Sequence, residues 1–153
     1  LFSRGPALFS GYWRNPNATA ESVQDGWVSV GDIATRDDEG YLYIVDRKKD
    51  MIISGGENVY PAEIEGVLMS HESIAEAAVI GQESETWGES PLAIVVKTDD
   101  SLSTAEVLEY CQGKLARFKQ PKAVEFIDVI PRNPSGKILK RVLREQYPAK
   151  ADV

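Results

Sequence analysis

The sequence predicts an α+β protein: a small mixed domain over residues 49–148, preceded by an incomplete β-rich section over residues 1–48. Three observations carry this. Strand-like and helix-like runs mix irregularly after Met51, unlike the strict βαβα alternation of a parallel α/β fold. The first 48 residues hold two short apolar runs between turn formers, too little for a domain of their own. Between the two lies D-R-K-K-D-M-I-I-S-G-G-E-N-V-Y-P-A-E-I-E, Asp46 to Glu65, which joins a charged turn, an apolar triplet, a glycine pair and a proline-started acidic helix.

In chain order, Pro6, Gly11, Pro16 and Asn17 punctuate the opening as turn residues. Trp27–Val30 and Tyr41–Val45 read as two short strands, with the polar stretch Thr35–Gly40 turning the chain between them as a longer-looped hairpin. The chain opens on Leu1 without methionine, and this section is expected to lean on protein upstream. The four consecutive charges Arg47–Asp50 mark an exposed turn. Met51–Ile53 and Asn58–Tyr60 flank S-G-G-E as a small hairpin. Pro61 suits the first position of a helix, with Glu63 and Glu65 near its positive end and Ile64, Val67 and Leu68 on one face. Strands follow at Ala77–Ile80 and Leu92–Val96. Ser103 and Glu106 have capping-box spacing and open a helix that places Val107, Leu108, Cys111 and Leu115 on one side. Val124–Ile127 makes a third strand, Ile138–Gln146 a last helix, and 149–153 a tail. The fold expected is thus a three-stranded sheet with flanking helices plus a hairpin.

A chain of 153 residues, 42% hydrophobic and 27% charged, has the composition of an ordinary globular protein. Its net charge of -7 argues against a general nucleic-acid binder. Basic residues nonetheless gather after Lys114, which fits a small phosphorylated ligand better than a polymer. The one cysteine, Cys111, excludes an internal disulfide and points to a reducing, cytoplasmic compartment. No apolar run reaches the length of a membrane span.

Among residues with chemistry to offer, Lys137 ends P-R-N-P-S-G-K. It is either a solvated lysine at a helix start or a compact ammonium for phosphate and carboxylate oxygens. Asp32 follows Gly31 and is either a turn residue or a ribose ligand. Arg47 either binds a nucleotide or pairs with Asp46 or Asp50. Gly55-Gly56 is a hairpin turn, or a place where backbone approaches a ligand closely. Trp87 lies between strands, packed down or offered for stacking. Cys111 reads as a core residue. His71, the only histidine, has no cysteine or second histidine near it in sequence, which disfavours a metal site.

Taken together, D-G-W-V-S-V-G-D-I-A, the Asp46–Glu65 stretch, L-A-R-F-K-Q-P-K and I-P-R-N-P-S-G-K-I-L-K-R resemble, in family order, the adenylate-forming enzymes: acyl-CoA synthetases, luciferases and peptide-synthetase adenylation domains. The wording is most similar to fatty-acyl-CoA ligases. The resemblance implies that residues 1–48 end a large N-terminal AMP-binding domain and that residues 49–148 form the small C-terminal lid. It also implies a two-step reaction. A carboxylic acid attacks the α-phosphate of ATP to give acyl-AMP and pyrophosphate, then the CoA thiol displaces AMP. ATP, CoA and Mg²⁺ are implied, the ion held mainly by the upstream domain.

On this resemblance Lys137 is catalytic in adenylation. Asp32, Ile44 and Arg47 bind the nucleotide, and Lys49 is the hinge. Ser54, Gly55, Gly56 and Glu57 line the pantetheine path, while Trp87, Phe118 and Lys122 match CoA contacts of some aryl-CoA ligases. Two departures stand out. Val30 replaces a usual threonine, and Gln120 stands where some relatives place an arginine for a CoA phosphate. The alternatives are an aryl-CoA ligase of the coumarate or benzoate kind, or a non-catalytic CoA- or nucleotide-binding module. The family's ATP-phosphate loop and acyl pocket lie upstream, so the 153-residue chain alone is expected to make no acyl-AMP. A pyrophosphate-release assay with ATP and fatty acids checks this, and clear turnover refutes it.

Overall fold

In the computed structural model, which describes residues 1–148, irregularly mixed strands and short helices give an α+β fold, as expected. The expected tail, residues 149–153, lies outside the described residues. The chain divides into two compact units, Leu1–Lys49 and a second from Asp50 onward.

The first unit contains β1 (Phe2–Ser3), α1 (Pro16–Ser22), β2 (Val23–Gln24), β3 (Trp27–Ser29), β4 (Asp32–Arg36) and β5 (Leu42–Arg47). The expected partnership of Trp27–Val30 with Tyr41–Val45 is corrected. β3 pairs with β1 and β2, and β5 pairs antiparallel with β4. The reason is local. Asp25 and Gly26 both have positive φ and close β2 onto β3 as a tight hairpin, and Gly31 at φ +82° turns the chain before β4 begins. The opening turn formers also hide a helix: Pro16 occupies its first turn and Asn15 Oδ1 accepts the Ala18 N–H at 3.1 Å. Val28 is the one hydrophobic side chain this unit buries, while Tyr41, Leu42, Tyr43 and Ile44 are all exposed.

A 3-10 turn, Lys48–Asp50, leads to β6 (Ile52–Ser54), β7 (Glu57–Val59), α2 (Pro61–Leu68), β8 (Ile74–Ser84), β9 (Gly88–Lys97), α3 (Thr104–Cys111), β10 (Ala123–Phe126) and α4 (Lys140–Gln146). The expected three strands and separate hairpin are one five-stranded sheet. β8 and β9 form a long hairpin, β10 runs parallel to β9, and the β6–β7 hairpin joins where Ser54 lies opposite Gly88.

Alternation along β8 and β9 builds two cores. Ala77, Val79, Ala93 and Val95 face α2 and α3 with Ile64, Leu68, Val107, Cys111 and Leu115, while Ala78, Ile80, Leu92 and Ile94 face Ile130 and Leu143. Both faces of the central strands are therefore dry. Cys111 is fully buried, and that burial raises its thiol pKa. The capping box of α3 forms: Ser103 Oγ accepts the Glu106 N–H and Glu106 Oε2 accepts the Ser103 N–H at 2.9 Å. The last helix begins at Lys140, not Ile138. Ile138 instead bridges to Arg132, and Leu139 N–H donates to Pro131 O at 2.8 Å.

Candidate functional site

In the first unit, Asp32 and Arg47 are directly opposed on β4 and β5, with Arg47 Nε 2.8 Å from Asp32 Oδ1. Arg47 Nη1 also donates to Val30 O at 3.2 Å, and Lys48 N–H to Gly31 O at 2.7 Å. A shallow cavity lined by Val30, Gly31, Arg47, Lys48 and Lys49 adjoins the pair. Arg47 pairs with one carboxylate oxygen of Asp32 and so orients a group that accepts hydrogen bonds from hydroxyls. Ile44 stands opposite Ala34 and is 60% exposed.

Ile44 and Arg47 are three residues apart, which on a regular strand sends them to opposite faces. A register shift between Ile33 and Ala34 inserts an extra residue on β5. Arg47 lies opposite Asp32 and Ile44 opposite Ala34, so Asp32, Ile44 and Arg47 share one face of the hairpin. Lys49 is exposed within the 3-10 turn. Its neighbour Asp50 is paired through Oδ1 with Arg144 Nη2 of α4 at 2.8 Å. The exposed part of the four-charge run thus ends at Lys49.

In the second unit, Lys137 closes a tight loop organised by Asn133. Asn133 Oδ1 accepts three bonds: from Ser135 N–H at 3.1 Å, Ser135 Oγ at 2.8 Å and Lys137 N–H at 2.9 Å. Gly136 adopts φ +83° within it, and Arg132 spans from Gly136 O at 2.8 Å to Glu76 Oε2 at 2.7 Å. Lys137 is exposed, and among the described residues its ammonium has no ion-pair partner. A rigid backbone thus presents a free charge at the end of a flexible stem.

Gly55 and Gly56, at φ +61° and +85°, form the two-residue turn between β6 and β7. Gly55 N–H donates to Trp87 O at 2.8 Å, and the indole lies against Gly55 so closely that a Cβ there would sit 2.9 Å from Cε3. Trp87 is nonetheless 47% exposed, and Lys122 Nζ lies 5.9 Å from its ring. Gly55, Trp87 and Lys122 are therefore brought together. Glu57 is exposed beside the turn. Ser54 is buried, and its hydroxyl has no hydrogen-bond partner among the described residues. Such an orphan group costs roughly 1–3 kcal/mol.

Phe118 packs partly into the core on the α2–α3 face. The neighbouring Lys119 is committed to Glu63 at 2.7 Å, and Gln120 Nε2 donates to Leu115 O at 3.0 Å. Of L-A-R-F-K-Q-P-K, Lys122 is the lysine that reaches the Trp87 ring. His71 serves the packing: Nδ1 accepts the Ser73 N–H at 3.1 Å and the ring meets Tyr110 edge-on at 4.6 Å. Among the described residues no group of three or more His, Cys, Asp or Glu side chains is arranged to hold a metal, and no helix is long and apolar enough to cross a membrane.

Residues 63–137, from the first turn of α2 to the loop lysine, match the model of the AMP-binding enzyme C-terminal domain. The chain carries an AMP-binding enzyme C-terminal domain. A long-chain-fatty-acid–CoA ligase of Mycobacterium tuberculosis is 57% identical over 142 residues, which cover 93% of this chain and 28% of that ligase. A 2-succinylbenzoate–CoA ligase of Bacillus cytotoxicus is 49% identical over the same span, 29% of its length. The solved o-succinylbenzoate CoA synthetase of Bacillus subtilis, in complex with an acyl-adenylate intermediate, superposes at TM-score 0.87 with 41% identity, over 98% of this chain and 31% of that one. The chain thus spans less than a third of the length of these relatives.

Three residues of this AMP-binding C-terminal domain escape a reading of the sequence: Asn133, Arg132 and Glu89. Asn133 had a signal, since an asparagine opening a polar turn bonds its own backbone two residues on. Glu89 had none. Its Oε2 accepts the Ile53 N–H at 2.8 Å across strands distant in sequence, bracing the glycine turn.

Proposed function

We propose that the chain is the lid-bearing part of an AMP-forming acyl-CoA synthetase, which converts a carboxylic acid, ATP and CoA to acyl-CoA, AMP and pyrophosphate. The observation that carries this is the separation of two devices on one rigid sheet. The Lys137 loop is pinned through Arg132 to Glu76, near the start of β8. The Gly55–Gly56 turn lies against Trp87, beyond the far end of the same strand. From Glu76 to Ser84 the strand covers roughly 26 Å at ~3.3 Å per residue.

One lid orientation therefore offers an ammonium to a reacting phosphate and carboxylate; another offers a side-chain-free turn to an incoming thiol. Lys137 stabilises charge developing on the α-phosphate. Asp32, with Arg47 and Ile44 on the same hairpin face, receives the ribose and base. Lys49, exposed beside the anchored Asp50, is the pivot. Gly55–Gly56 lets the pantetheine arm pass, with the unpaired Ser54 hydroxyl beneath the turn and Trp87 and Lys122 at the nucleotide end of CoA. A fatty acid is the favoured substrate, supported by the 57% identity to the long-chain ligase.

Lys137→Ala in the full-length protein tests the division of labour. Acyl-AMP formation should fall by about a hundredfold or more, while thioester formation from supplied acyl-AMP stays within a few-fold of wild type. Equal loss of both steps, or of neither, refutes it. A second reading, an aryl-acid ligase, is supported by the 49% identity to the 2-succinylbenzoate ligase. Comparing kcat/KM for long-chain fatty acids against aryl acids in the full-length enzyme separates the two.

A further inference from the structure

Trp87 has two neighbours besides solvent: Lys122, whose Nζ lies 5.9 Å from the ring centroid, and the backbone of Gly55. The second contact is the tighter. A Cβ on Gly55 would meet Cε3 at 2.9 Å and Cζ3 at 3.3 Å, so the benzo edge of the indole rests on the glycine itself. The same residue's carbonyl accepts the Gly55 N–H at 2.8 Å. Trp87 lies in the short turn between β8 and β9, whose base is fixed by the strand pair Ser84–Gly88. The Gly55–Gly56 turn, with both residues at positive φ, has no side chain of its own to hold it. Its brackets come from the neighbouring hairpin: Trp87 at the turn and Glu89 at Ile53.

We propose that Trp87 is a positioning residue: its indole and carbonyl together fix where the Gly55–Gly56 backbone sits, whether or not a nucleotide is stacked on the exposed part of the ring. The role deepens the acyl-CoA synthetase reading and rests on it. A ring that only stacked on the adenine of CoA would matter only to acceptors that carry adenine. A ring that sets the turn matters equally to an acceptor without it. An error of about 1 Å in placing a reacting group is enough to cost on the order of a hundredfold in rate.

The experiment uses pantetheine, which carries the thiol arm but no nucleotide, beside CoA as acceptor from preformed acyl-AMP in the full-length enzyme. Trp87→Ala should lower kcat with pantetheine by roughly ten- to a hundredfold. Trp87→Phe, which restores an aromatic edge, should recover part of that loss. Wild-type kcat with pantetheine, with only the KM for CoA raised, overturns the proposal and leaves the ring a nucleotide contact alone. A parallel measurement on the 153-residue chain needs no catalysis. Amide exchange at Gly55 should quicken at least tenfold in Trp87→Ala, and unchanged exchange overturns the proposal. A wild-type enzyme that forms no thioester with either acceptor refutes the synthetase reading instead, and the exchange at Gly55 then decides the positioning role by itself.

Discussion

Around Asn133 Oδ1 three donors converge, and two of them belong to the Ser135 and Lys137 backbone. Replacing Asn133 by alanine leaves those N–H groups to water and frees the loop that aims Lys137. The loss should be about 1–2 kcal/mol; on the role proposed for Lys137, the full-length protein should show it as a roughly tenfold slower adenylation step with little change in thioester formation. A loss equal in both steps would show that Asn133 supports the whole domain and not the loop. Asn133 was legible as a turn former in P-R-N-P-S-G-K, but its three bonds were not, because they depend on how tightly the loop closes. Gly55 shows a similar limit. Its positive φ is foreshadowed by the Gly-Gly pair; its contact with Trp87 is not, since the two residues meet only after β6 joins β9.

At the scale of elements, α3 follows its sequence closely because its signals are local. Ser103 and Glu106 form the capping box that their spacing announces. Ser103→Ala should cost about 1 kcal/mol of stability. Hydrogen bonds from the Ser103 hydroxyl and backbone N–H hold the Glu106 carboxyl below its ordinary pKa. A depressed folded-state pKa means that the part of the box made by the Glu106 carboxylate is whole above the unfolded-state value and fades as pH falls through the folded one, while the bond from the Glu106 N–H to Ser103 Oγ does not titrate. Urea unfolding between pH 6 and 3 should therefore show wild type and Ser103→Ala converging as the pH falls, and parallel curves would refute the linkage. β5 behaves differently. Its alternation separates Ile44 from Arg47, and only the bulge in the β4–β5 ladder returns them to one face. α1 was masked by its own turn formers, since Asn15 and Pro16 serve a helix start as well as they serve a loop.

Across the whole molecule, burial is uneven. The unit from Asp50 onward carries both apolar clusters, whereas the Leu1–Lys49 unit buries Val28 and leaves an apolar run at Tyr41–Ile44 exposed. Amide exchange of this chain should show the slowest hydrogens in β8 and β9, and rapid exchange through β1 to β5. Comparable protection in both units would contradict this reading of where the stability lies. The sequence by itself determined the α+β class, the motif order and the residue types at each candidate site, because these follow from short-range pattern and chemistry. The tertiary structure alone decided the rest. It merged the small hairpin into a five-stranded sheet and set Trp87 against Gly55. It also placed the Lys137 loop and the glycine turn toward opposite ends of β8. Those relations depend on strand pairing between distant segments, and pairing is decided by which apolar faces can be buried together.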